Sequence, residues 1–247
     1  MIELRELSKA YNKGAVQAVK GLSLQVRKGE LFGFLGPNGA GKTTTIKMIV
    51  GLLRPDSGSI LLEGIDARRE PLRAKSILGY CPDEPALYDR MTGARFLAFI
   101  ADVFGVPAEE RSKRIPALAE TFEMTAALGE TIGAYSHGMK QKLSLISALL
   151  HDPQVLVLDE PIVGLDPRAA FTLKETMREL CRRGKTVFFS THIMEVAERL
   201  CDRVGIISHG ELIAAAPLEE LRRGSGEDGA SLEKLFLEMT DDAALPR

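Results

Sequence analysis

The chain has 247 residues, enough for one large α/β domain with an insert rather than two independent domains. Hydrophobic residues make up 45% and charged residues 27%, and the formal net charge is −2. Nothing in that charge asks for a polyanion, so no nucleic-acid partner is expected. No run approaches the roughly 18 apolar residues that span a bilayer, and the opening MIELRELSKAY is charged where a secretion signal is apolar. Cys81, Cys181 and Cys201 have no metal-ligand spacing. The expectation is a cytoplasmic protein with reduced, structural thiols.

In chain order, residues 2–7 and 22–26 read as strands with a turn at Lys13-Gly14 between them. Glu30–Leu35 is an apolar run ending at a glycine, the pattern of a buried strand. It feeds GPNGAGKTTTIKMIVGLL, helical from about Gly41 and closed by Gly51 and Pro55. Ser59–Glu63 and Ile77–Cys81 are further strand candidates. From about residue 85 the periodicity turns helical, as at Phe96, Phe99, Ile100 and Val103, predicting a helical insert over about 85–150. Strand patterns return at 155–159, 186–190 and 204–208, with helices over roughly 168–182 and 193–200. Alternating strands and helices predict a mostly parallel sheet covered by helices, with an antiparallel N-terminal β-subdomain. SHGE (208–211) predicts a tight hairpin turn. The Gly- and charge-rich 222–230 reads as a linker before an amphipathic helix at 231–239 and a frayed tail, so 1–223 is the main domain and 224–247 an appendage.

GPNGAGKT (36–43) is a P-loop pattern, with two glycines five apart followed by Lys and Thr. Backbone N–H groups of such a loop point inward around a phosphate, and glycine permits the φ angles this needs. The helix that follows adds unpaired N–H groups and a partial positive charge. Gly36, Asn38, Gly39, Ala40, Gly41, Lys42, Thr43 and Thr44 are the candidate nucleotide-binding residues. Lys42 reaches the β/γ oxygens, and the Thr43 hydroxyl is placed for Mg²⁺. VLVLDEP (155–161) ends a buried strand in two acids at the sheet edge where ligands bind. Asp159 is the candidate Mg²⁺ partner, through water, and Glu160 the group that orients or deprotonates the attacking water. These features together imply only a nucleoside-triphosphate hydrolase that works with Mg²⁺.

YSHGMKQKLSL (135–145) resembles the signature sequence of ABC ATPases, with His137 in place of the first signature glycine and Met139 in place of the usual glutamine. The order of P-loop, signature, LDEP, GLDP (164–167) and STH (190–192) is that of the ABC family over nearly the whole chain. The resemblance implies an ATP-binding subunit of a transporter. Two copies, or a copy and a related subunit, would pack head to tail, so that Ser136 and Gly138 of one chain reach the nucleotide held by the other. It implies further that Asp166 crosses that interface to align the water. His192 would be the switch histidine at the γ-phosphate, and Tyr11 the aromatic stacked on adenine. An integral membrane permease would be the other partner, holding the ATPase at the inner face of the membrane. Where the family has a glutamine after the strand ILGYC, this chain has Asp83, a third candidate Mg²⁺ ligand that can accept hydrogen bonds but not donate them. That acid, the following Pro-x-Leu-Tyr stretch, GELFGFLGPNGAGKTTTIKMI and LFLEMT resemble the ABC-2 class of exporters.

Overall fold

The computed structural model describes residues 1–224 and 232–242. The chain begins with a long hairpin, β1 (Ile2–Tyr11) and β2 (Val16–Val26), joined through a single 3₁₀ turn at Asn12–Gly14. Both strands outrun the predicted 2–7 and 22–26. Positive φ at Glu6 and register shifts after Leu4 break the inside–outside alternation that marks a strand in sequence. Next come β3 (Leu31–Leu35), α1 (Lys42–Ile49), β4 (Ser57–Leu62), β5 (Ile65–Asp66), α2 (Pro71–Ser76) and β6 (Leu78–Cys81). The helical segment holds α3 (Gly93–Val103), α4 (Ala108–Thr121) and α5 (His137–Leu149). Then follow β7 (Val155–Asp159), α6 (Pro167–Arg182), β8 (Thr186–Thr191), α7 (Met194–Leu200), β9 (Arg203–Ser208), β10 (Glu211–Pro217), α8 (Leu218–Gly224) and α9 (Leu232–Asp242).

Two sheets result. The antiparallel one runs β2-β1-β4-β5, the larger one β10-β9-β3-β8-β7-β6. Within the larger sheet every pairing is parallel except β9 with β10, whose tight turn has positive φ at His209 and Gly210. The parallel strands are buried on both faces, which is why LFGFL, VLVLD and TVFFST read as continuous runs. One core lies between the two sheets and α1, joining Ile2, Leu22, Ile46, Phe32, Val157 and Phe188. A second lies on the other face and joins Phe96 and Leu97 of α3 and Leu143 and Ile146 of α5 to Leu156, Leu158 and Phe189 of the sheet. The helical segment therefore shares its core with the main sheet.

A third cluster packs Leu232, Leu235 and Phe236 of α9 on Leu35, Ala197, Val204 and Leu221. The C-terminal helix thus packs on the main domain. The predicted linker is helical at its start: Leu221 is buried, and acids in the first turn of α8 and arginines in its last suit the helix dipole. The remainder of that linker (225–230) and the expected frayed tail (243–247) lie outside the described residues. No helix among the described residues is long and apolar enough to cross a membrane.

Candidate nucleotide and dimer site

The loop from β3 to α1 closes on itself through steric demands that only glycine meets. A Cβ on Gly36 would stand 2.5 Å from the Ile207 carbonyl oxygen, and one on Gly41 2.4 Å from that of Ala18. Gly41, at φ +109, is the residue that starts α1 without a side-chain cap, so the first N–H groups of the helix face the loop. Gly39 is also at positive φ. Lys42 is 6% exposed, and its ammonium donates to the carbonyls of Gly36 at 2.7 Å and Pro37 at 3.3 Å. Asn38 and Gly39 are exposed, Ala40 is buried, Thr43 is exposed and Thr44 half-buried. Thr45, one residue further, turns its hydroxyl back to the Gly41 carbonyl at 2.9 Å.

At the same sheet edge β7 pairs Asp159 with Ser190 of β8. Asp159 is 1% exposed, and the Ser190 hydroxyl donates to its Oδ1 at 2.6 Å while accepting from the Glu160 N–H at 3.0 Å. The backbone then turns left-handed at Glu160, φ +46, a conformation that costs a non-glycine residue roughly 1–2 kcal/mol. The cost is compatible with a constrained site: the turn leaves the Glu160 carboxylate 3.7 Å from the Lys42 ammonium and 3.0 Å from His192 Nδ1. The His192 N–H also donates to it at 3.4 Å. Lys42, the adjacent Asp159 and Glu160, and His192 are therefore brought together from three separate stretches of sequence.

Asp83, on the exposed segment after β6, faces the same charges. Its carboxyl is pushed above its ordinary value, first by burial and then by Asp159, Glu160 and Glu84, with His137 pulling the other way. The donors present (Thr43 hydroxyl, Asp83 and Asp159 carboxylates) are hard oxygens, and no cluster of three metal-ligating side chains occurs among the described residues. This set fits Mg²⁺, which keeps waters and substrate phosphates in its shell, better than a metal caged by protein.

A second group gathers around the start of α5. Ser136 N-caps this helix, its hydroxyl accepting from the Met139 N–H at 3.3 Å. Gly138 lies against the carbonyl of Gly164. Asp166 N-caps α6 by accepting from the Ala169 N–H at 2.8 Å, and its other oxygen pairs with Lys142 of α5 at 2.8 Å, so the carboxylate expected to cross an interface is engaged within its own chain. Those two partners hold its carboxyl below the usual range. Tyr11 closes β1 opposite Val16, partly exposed, at the turn end of the hairpin.

The sequence reading missed Ser190 and Lys142. A serine inside an otherwise apolar buried strand was a signal for the first. The second needed a spatial neighbour distant in sequence.

Residues 19–163 match the ABC transporter family. The linearmycin resistance ATP-binding protein LnrL of Bacillus subtilis (strain 168) is 41% identical over 228 residues, covering 92% of this chain and 73% of that protein. The Nod factor export ATP-binding protein I of Burkholderia pseudomallei (strain K96243) is 43% identical over 213 residues, covering 86% and 69%. A solved structure of an ATP-binding subunit of an ABC transporter superposes with a TM-score of 0.92 at 36% identity, over 97% of this chain and 99% of that one. The chain belongs to the ABC transporter family and is one of its ATP-binding, ATP-hydrolysing subunits.

Proposed function

We propose that this chain powers an ABC-2-type exporter by closing around two ATP molecules as a dimer of like subunits and reopening on hydrolysis. The observation that carries the reading is the convergence of Lys42 and His192 on the Glu160 carboxylate beside a glycine-built phosphate loop. Lys42 and Glu160 form an ion pair at 3.7 Å. A polyphosphate in the loop competes for Lys42 and leaves Glu160 facing His192, free to orient water. Catalysis here is positioning and charge stabilisation rather than covalent chemistry. Mg²⁺, when bound, neutralises phosphate charge. Thr43 and Asp83 are the residues to hold it directly, and buried Asp159 through water. Tyr11 stacks on the adenine.

Ser136 and Gly138 open a helix at the surface, which suits a phosphate brought by a second subunit. Asp166 then serves the interface after exchanging its Lys142 partner. The names of the two relatives above, resistance and export, support the exporter class. The membrane partner is an integral permease, and the ATPase sits against it on the cytoplasmic side.

Glu160→Gln removes the charge that activates water and keeps the shape. Its mass in solution is expected to shift from monomer to dimer on adding ATP and Mg²⁺, with turnover lost. A monomer that nonetheless binds ATP would overturn the dimer of like subunits.

A further inference from the structure

The signature helix and the turn behind Glu160 meet at one place. The His137 ring lies over Gly164: a Cβ added to Gly164 would stand 2.6 Å from its Cδ2 and 2.8 Å from its Nε2. The next residue makes a similar approach, since a Cβ on Gly138 would meet the Gly164 carbonyl oxygen at 3.0 Å. Further along α5, Lys142 reaches Asp166. The start of α5 thus holds both Gly164 and Asp166, four and six residues past Glu160.

The middle of that turn has little of its own to hold it. Val163 N–H donates to the Glu160 carbonyl at 3.2 Å and Leu165 N–H to that of Ile162 at 3.3 Å, both long. Val163, Gly164 and Asp166 are exposed, and Gly164 sits at φ +80. Ile162 and Leu165 pack against the core and Asp166 is held by Lys142, but the exposed stretch at 163–164 has no such anchor and opens easily unless something leans on it. The imidazole of His137 is what leans. A glycine at 137 would have no side chain to do so, and a side chain at 164 would leave no room for the ring.

We infer that His137 is a positioning residue: its ring braces the 162–166 turn and thereby fixes the approach of the Glu160 carboxylate. The brace is one of packing, since the Cδ2–Nε2 edge of the ring abuts a glycine. It also links two events in one chain, because whatever displaces the start of α5 shifts the turn that carries Glu160. The inference rests on Glu160 as the water-orienting group.

The test compares wild type with His137→Gly, which removes the ring, and His137→Phe, which keeps an aromatic ring without the nitrogens. His137 is exposed at the first position of α5, so both variants are compatible with folding. In the full chain without nucleotide, amide exchange by mass spectrometry over 160–166 is expected to rise roughly tenfold in His137→Gly, with β8 as an unchanged reference. Steady-state ATP hydrolysis by the same protein is expected to lose roughly tenfold in kcat with KM within about twofold. His137→Phe stays near wild type in both. Unchanged exchange in His137→Gly overturns the brace. Faster exchange with unaltered kcat overturns the positioning role, and a His137→Phe that behaves like His137→Gly overturns packing as its cause. Failure of the Glu160 assignment would show separately, as turnover surviving in Glu160→Gln while the exchange result stands.

Discussion

α1 begins at Gly41, buried and left-handed, with its first N–H groups turned into a loop built by the same chain and a lysine folded back onto that loop. α5 begins behind Ser136, exposed, with its cap hydroxyl spent on its own helix and its flank resting on the 162–166 turn. Both are glycine-bearing helix starts. The first is a finished cradle, because every group it needs, down to the Glu160 partner of Lys42, comes from one chain. On the proposed reading the second is a prepared surface that gains a phosphate only when another molecule supplies it, so that two glycine-bearing helix ends serve one reaction in different ways, one by enclosure and one by presentation.

The sharpest way to break this comparison is at Lys42. Lys42→Ala removes charge-assisted hydrogen bonds to the phosphates, and the expected loss of ATP affinity is roughly 10–100-fold in equilibrium binding to the single chain. An unaltered affinity would show that the cradle does not depend on its own lysine. Ser136→Ala should act in the opposite pattern. Losing the cap costs about 1 kcal/mol in thermal unfolding, ATP affinity of the single chain stays within about twofold, and the ATP-driven dimer of the Glu160→Gln background is lost. A fall in single-chain affinity instead would place both helix ends in one site.

The smallest effect concerns Asp83, which stands between the two regions. Asp83→Gln takes one negative charge away from Asp159 and Glu160, so binding of ATP should lean less on Mg²⁺. Like charges at this range are worth on the order of 1 kcal/mol, a roughly fivefold change in the ratio of affinities with and without Mg²⁺. Equal metal dependence in wild type and variant would remove Asp83 from the metal site.

Much of this was legible in the sequence because it is local. Glycines at fixed spacing with Lys42 and Thr43 announce a phosphate loop wherever they follow a buried strand, and the apolar runs of β3, β7 and β8 declare strands covered on both faces. The β1–β2 hairpin was seen only in part, since its outer halves alternate poorly and bulge at Glu6. The end of α8 (222–224) was read as linker because it is arginine and glycine, and only the burial of Leu221 shows why it is helical.

By itself the sequence determined the chemistry at hand: a phosphate loop, two acids at a strand end, a histidine after another strand, and their order along the chain. Each of those signals is contained within a few residues, where backbone geometry alone relates its members. Only the tertiary structure decided which groups face each other. Parallel pairing of β7 with β8 put Ser190 between Asp159 and Glu160, the left-handed turn at Glu160 aimed its carboxylate at Lys42 and His192, and the seating of α5 laid His137 on Gly164. Each of these depends on contacts between residues more than twenty positions apart, and no local pattern encodes such contacts.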